Sequence, residues 1–335
     1  MIVGKRESID LTTKTMPKQL SREHNLNNQR EKIEILSIDL LDQNRTTVEA
    51  LKRLSRSLSL ELGWHYLLDL TWILQNLGPV VNRRMMDAGA GVGVLQWYLA
   101  QQGAEVISVD RASRAELALR FRSRSRAQGL RKTDLIPVHN MLLKDFSREA
   151  SGPFYRRWVM RGMIIARDLL WLMHRPHRTG QVWIYNQDLA SMSDIPENSL
   201  DAVVSVSALE HNTAQGLKRV VEEIMRVIKP GGVLLATLAA ARDQDWFHEP
   251  SSGWCYTEAS LRQLFDLSDA PPSNYSRYDE LLKALRNCAE LRDNLARFYS
   301  HSDKNGMPWG KWDPSYQPVG ICKQKQVTGW KGKKI

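Results

Sequence analysis

The chain has 335 residues, a formal net charge of +10 and 42% hydrophobic residues, enough for one large folded domain with an extension. Its three cysteines, Cys255, Cys288 and Cys322, are scattered and odd in number, which argues against a disulfide framework or a zinc cluster and for a reducing compartment; no metal is expected. The amino terminus lacks the basic-then-apolar pattern of a secretion signal, and no run of about 18 apolar residues offers a bilayer span, so the expected location is the cytoplasm.

Residues 1–45 are polar and weakly patterned, with Asn25 to Arg30 the clearest case. They predict a mobile extension with a short helix near Glu31 to Leu41, and the extension is taken to end at residue 60. Thr46-Thr47-Val48-Glu49 fits a capping box, and Val48, Leu51, Leu54 and Leu58 follow at helical spacing. Leu62 to Leu74 is rich in aromatics. Its Trp64, His65 and Tyr66 suit either a ligand cover or plain core. From residue 61 to 335 the chain reads as one domain.

The organising stretch is Arg84-Met85-Met86-Asp87-Ala88-Gly89-Ala90-Gly91-Val92-Gly93-Val94-Leu95. A short apolar strand ends near an acid, three glycines stand at alternate positions, and a helix-forming segment follows. Glycine permits positive φ and leaves no Cβ in the path of a bound ligand. Twenty-three residues after Asp87, a second strand, Val106 to Val109, ends in Asp110, placed to accept hydrogen bonds from ribose hydroxyls. The dinucleotide fingerprint G-x-G-x-x-G/A is not met, since its last position is Val94 and the third glycine comes one residue early.

From Asp110 to Gln181 is 71 residues, far more than a crossover between parallel strands needs. Residues 111–178 hold 16 lysines and arginines against five acids, and leave the rest of the chain close to neutral. This predicts a long basic, helical insert over about 130–178. Its stretches Phe154 to Arg161 and Leu169 to Met173 mix aromatics with arginines. Such a segment suits an anionic membrane surface, a phosphate or a packed helix with outward arginines.

Beyond it, Gln181 to Tyr185, Ala202 to Ser207 and Val233 to Leu238 read as the third to fifth strands, alternating with helices as in a doubly wound parallel sheet. Asn212 is the expected cap of the helix carrying Leu217, Val221, Ile224 and Ile228, which Lys229-Pro230-Gly231-Gly232 should stop. Thr257 should cap a helix through Leu261, Leu264 and Phe265. Leu281 to Phe298 predicts another helix, and Pro318 to Cys322 a last strand.

The acid two residues before G-x-G-x-G, Asp110, Asn186-Gln187-Asp188-Leu189, Leu209-Glu210-His211 and the Lys-Pro-Gly-Gly turn together resemble class I S-adenosylmethionine-dependent methyltransferases, and within them the methyltransferase type 11 family, over about residues 80–267. The resemblance implies an α/β, Rossmann-like, doubly wound seven-stranded sheet, here with a helical N-terminal extension and the long insert after strand two. It implies S-adenosylmethionine as cofactor, held by Asp87, Gly89, Gly91, Gly93, Asp110, Arg111, Asp188, Leu189 and Ser205. In the family the acid at Asp188 meets the adenine amino group and the next backbone N–H, at Leu189, meets the ring.

A sulfonium methyl is already electrophilic, so catalysis rests on alignment, with a base needed only where the acceptor is a hydroxyl. His211, at the carboxyl end of strand four, is the first candidate base; Glu210 could orient it or bind substrate, and His248 opens on the same sheet edge. Trp246, Trp254, Tyr256, Trp309 and Trp312, in a lid region spanning about 242–316, are the expected substrate contacts, because flat aromatic faces suit sugars and other planar acceptors. The expected reaction is methyl transfer to a small-molecule or lipid- or nucleotide-linked acceptor, with a sugar hydroxyl favoured. The alternatives are an RNA methyltransferase using Arg120, Arg122, Arg124 and Arg126, and a non-catalytic cofactor-binding scaffold.

Overall fold

The structure, a computed structural model, describes residues 31–122, 125–140, 180–268, 272–301 and 306–327, with five further positions between 158 and 166. The polar residues 1–30 and, save those five positions, the insert from 141 to 179 lie outside the described residues. The strands in chain order are β1 (Lys32–Ile35), β2 (Arg84–Ala88), β3 (Glu105–Asp110), β4 (Arg126–Gly129), β5 (Gln181–Asn186), β6 (Leu200–Val206), β7 (Ile228–Ala240), β8 (Trp246–His248), β9 (Gly253–Tyr256) and β10 (Gln317–Gln324). They form one sheet in the order β1-β10-β7-β6-β2-β3-β5-β4, with β9 on the end of β7 and β8 on β9.

The centre is parallel: β2 pairs with β3 and β6, β3 with β5, and β6 with β7. The chain leaves β2 toward β3 on one side and returns to β6 on the other. The carboxyl ends of β2 and β6 therefore flank a topological switch point, where open α/β sheets bind ligands. Neighbouring residues on one strand face opposite cores. Val204 and Leu235 pack with Trp72 and Trp97 from the helices Tyr66–Leu77 and Leu95–Gln101; Val203 and Leu234 pack with Leu217, Val221 and Ile224 from the helix Ala214–Val227. Burial on both faces explains the nearly unbroken apolar runs of these strands.

The seven-strand expectation is too small. Residues 31–60, expected as a polar extension with a helix at 31–41, instead supply an edge strand and part of the core. β1 runs antiparallel to β10, and Ile33, Ile35, Val48, Leu51, Leu54 and Leu58 are buried. The second added strand, β4, lies parallel to β5 in the basic region. Trp72 lies against β10 so closely that a Cβ at Gly320 would fall 2.4 Å from its ring, and its indole N–H donates to Glu34 across 2.8 Å.

Helix ends differ in detail from expectation. The helix Arg45–Ser57 starts one residue before Thr46 with no side-chain cap, so the capping box is not used. Thr213, not Asn212, caps the helix Ala214–Val227 by accepting the Gly216 N–H at 3.1 Å, while Asn212 turns its amide to the Leu209 carbonyl. Thr257 does cap its helix. The single helix expected over Leu281 to Phe298 is broken into Tyr278–Arg286 and Ala289–Asp293, because the chain turns extended at Cys288 and tucks that residue into the core. Among the described residues no helix is long and apolar enough to cross a membrane.

Candidate active site

β2 ends in the glycine turn. Gly89 and Gly91 take φ of 72° and 49°, a region that side-chain-bearing residues rarely adopt. The Gly89 and Ala90 N–H groups donate to the Val109 carbonyl at 2.9 and 3.0 Å, which ties the turn to the end of β3. A Cβ at Gly89 would lie 2.4 Å from the Ala208 methyl, so the turn also packs on the end of β6. At Gly91 the space is open, with Asp110 as its only near neighbour. Asp110 accepts the Gly91 N–H at 2.8 Å on one oxygen and the Ala112 N–H at 2.8 Å on the other, which holds its carboxylate at the turn with lone pairs to spare.

Under the turn lies a polar brace that the sequence did not reveal. The Gln96 amide donates to the Gly93 carbonyl at 3.0 Å, and the Ser108 hydroxyl donates to Gln96 Oε1 at 2.6 Å. Arg114 is buried. Its guanidinium donates to the Gly91 carbonyl at 3.1 Å, the Ser108 carbonyl at 2.7 Å, the Tyr185 carbonyl at 3.1 Å and the Ser108 hydroxyl. Asp87 is also buried, and burial pushes its carboxyl up to about 7, against the pull of the nearby Arg114 charge.

The turn opens into a cavity of about 490 Å³. Asp87, Gly89, Gly91, Gly93, Asp110, Arg111, Asp188, Leu189 and His211 all line it, so these sequence-identified positions converge in space. Ser205 does not: it is buried below, and its hydroxyl donates to the Ala88 carbonyl at 2.8 Å, stapling β6 to β2. Leu60, Glu61, Leu62 and Tyr66 form another wall. Of these the sequence had singled out Tyr66 alone.

On the β6 side Ser207 and Ala208 precede a single turn, Leu209–His211. His211 Nδ1 lies 2.9 Å from the Ser252 carbonyl oxygen, which can only accept, so Nδ1 carries the proton and the neutral ring keeps its lone pair on Nε2. Glu210 is only 4% exposed and sits behind the wall rather than in it. It accepts the Ser207 hydroxyl at 2.5 Å on Oε1, while Oε2 has no hydrogen-bond partner among the described residues. Burial raises its pKa against the opposing His211 charge.

The remaining candidates lie elsewhere. His248 does not line the cavity: its Nδ1 is within 2.7 Å of the Ser251 hydroxyl, its ring packs edge-on against Tyr316, and burial lowers its pKa. Trp246 packs on His248, Trp254 on Phe247, and Trp312 on Trp64 with its N–H given to the Arg286 carbonyl at 2.8 Å. Tyr256 is buried. Trp309 is 67% exposed. None of these five aromatics lines the cavity.

Residues 167–236 match the type 11 family, described as a methyltransferase domain. That match spans the end of the insert, β5, β6, the helix Ala214–Val227 and the first part of β7. The match begins within the insert, so the glycine turn falls outside it. A 48-residue stretch is 40% identical to the ubiquinone biosynthesis O-methyltransferase of Leptothrix cholodnii, covering 14% of this chain and 20% of that relative's length. Similar solved structures include the [4+2]-cyclase SpnF, 14% identical over 89% of this chain and all of that one with a TM-score of 0.45. Another is phosphoethanolamine N-methyltransferase 2 of Haemonchus contortus with S-adenosyl-L-methionine, 16% identical over 86% of this chain and 60% of that one with a TM-score of 0.44.

The matched family's cofactor is S-adenosylmethionine, and the residues at this cavity fit it. The side of Gly91 facing Asp110 is the one a side chain would fill. Three carboxylates line the cavity, Asp87, Asp110 and Asp188, and such a molecule carries three kinds of donor for them, an ammonium, ribose hydroxyls and an adenine amino group.

Proposed function

We propose that this chain transfers the methyl group of S-adenosylmethionine to a hydroxyl of a small-molecule, lipid-linked or nucleotide-linked acceptor, with a sugar as the favoured class. The observation that carries this reading is His211: it lines the same cavity as the glycine turn, its Nδ1–H donates to the Ser252 carbonyl, and its Nε2 has no hydrogen-bond partner among the described residues. The cofactor supplies an electrophilic methyl. The protein's part is to hold the acceptor oxygen in line and to take its proton at Nε2.

The RNA reading loses support at two of its four arginines, Arg122 and Arg120, while Arg126 is exposed on β4. Arg122 is buried and gives its guanidinium to the Leu117, Ala115 and Ile136 carbonyls, and Arg120 lies over the Phe121 ring at 4.8 Å. Arg124 lies outside the described residues. The test is a panel of nucleotide- and lipid-linked sugars with methyl-labelled cofactor. Label in a glycan ether supports the proposal. Label only in RNA, or none in any acceptor despite cofactor binding, removes it.

A further inference from the structure

Ser207 is the residue of the cleft that the function above leaves unexplained. It lines the cavity, it lies next to Ala208, which packs on Gly89, and it takes φ of 45° without being glycine. Its backbone N–H is held by Thr237, at 3.0 Å to the carbonyl and 3.3 Å to the hydroxyl. Non-glycine residues persist in this conformation where the surroundings over-determine them, and such positions cluster at functional sites.

The proton count is specific. A serine hydroxyl has one proton and two lone pairs. Here the proton goes to Glu210 Oε1 at 2.5 Å. With its proton committed, Ser207 can only accept. Behind it stands a buried carboxylate whose second oxygen has no hydrogen-bond partner among the described residues, which makes the hydroxyl a stronger acceptor and favours a donor or a cation.

We propose that Ser207, backed by Glu210, is an acceptor-recognition residue that takes a hydrogen bond from a protic group of the substrate beside the atom that is methylated. The cleft then offers two hydrogen-bond acceptors, Ser207 Oγ and His211 Nε2. A substrate satisfies both only with two donors side by side. The vicinal diol of a sugar provides them: one hydroxyl gives its proton to His211 as its oxygen is methylated, and the other donates to Ser207. A lone phenol or thiol leaves Ser207 unmatched. Glu210 acts through Ser207 and is a positioning residue.

This inference rests on the methyl-transfer reading, and its test needs no identified acceptor. Sinefungin carries an amine-bearing carbon where the cofactor has its sulfonium methyl, so it presents N–H donors at the transfer point; S-adenosylhomocysteine presents none there. Calorimetric affinities of both are measured for the full chain, Ser207→Gly, Glu210→Gln and Glu210→Asp. Glycine accepts the positive φ, so Ser207→Gly keeps the backbone while removing the hydroxyl. Sinefungin affinity should fall about tenfold or more in Ser207→Gly and Glu210→Gln, with S-adenosylhomocysteine within about twofold and part of the loss recovered in Glu210→Asp. An unchanged ratio between the two ligands overturns the proposed subsite alone. Failure of the unaltered chain to bind S-adenosylhomocysteine overturns the cofactor reading, and this proposal with it.

Discussion

Asp87 should make cofactor binding depend on pH near neutrality. In the free protein burial pushes its carboxyl up to about 7, so it is half protonated there. A ligand ammonium beside it favours the carboxylate and lowers that pKa in the complex. The sign follows: binding releases a proton, affinity is full above pH 7, and it declines as pH falls through 7. Between pH 8 and pH 6 the ionised fraction of free Asp87 drops about tenfold, so S-adenosylhomocysteine should bind about tenfold more weakly at pH 6, a difference of about 1.4 kcal/mol. Calorimetry in buffers of different ionisation enthalpy should show about half a proton released per ligand at pH 7. Asp87→Asn should bind more weakly at pH 8 and with no such slope. The same raised pKa opposes folding progressively as pH rises from about 4 to 7, so the ligand-free Asn variant should be the more stable at pH 8, by up to about 4 kcal/mol. Wild-type affinity that is flat from pH 6 to 8, or an equal slope in the variant, refutes the reasoning.

Three further substitutions test separate parts of the account. His211→Gln should lower kcat by about 10²- to 10⁴-fold in an assay with any accepted sugar, while calorimetry finds S-adenosylhomocysteine affinity unchanged. Gly91→Ala places a Cβ at φ 49° toward Asp110; S-adenosylhomocysteine affinity should fall more than about tenfold, with a stability loss of about 1–2 kcal/mol in urea titrations. Gly320→Ala drives a methyl into the Trp72 ring on β10, at a position that does not line the cavity, and should lower stability by about 1–3 kcal/mol with ligand affinity intact in the folded fraction.

What could be read in the sequence was local. The strand, glycine turn and acid of Met85 to Gly93, and the second acid at Asp110, act within a few residues of themselves, and they meet in one cavity. So does His211, whose place follows from its distance past β6. What could not be read depends on partners distant in sequence. Arg114 and Arg122 look like members of a solvated basic run, yet they are buried because backbone carbonyls from several segments converge on them. Ser207 owes its left-handed backbone to Thr237, thirty residues on. Three of the four expected substrate tryptophans, Trp246, Trp254 and Trp312, pack on protein partners instead: Trp312 is matched by Trp64 and the Arg286 carbonyl. One miss had a visible signal. Lys32-Ile33-Glu34-Ile35 alternates polar and apolar residues as a half-buried strand does, and the helical pattern just beyond it drew the reading away.

The central claim is that the turn from Asp87 to Gly93 and the acids at Asp110 and Asp188 hold an adenosyl-methionine ligand at the switch point of the sheet. A crystal structure of the full chain with S-adenosylhomocysteine tests it most directly. The account predicts ligand density against Gly91, with the ribose on Asp110 and the adenine between Asp188 and Leu189. Density elsewhere, or a Gly91 pocket that stays closed at saturating ligand, contradicts it.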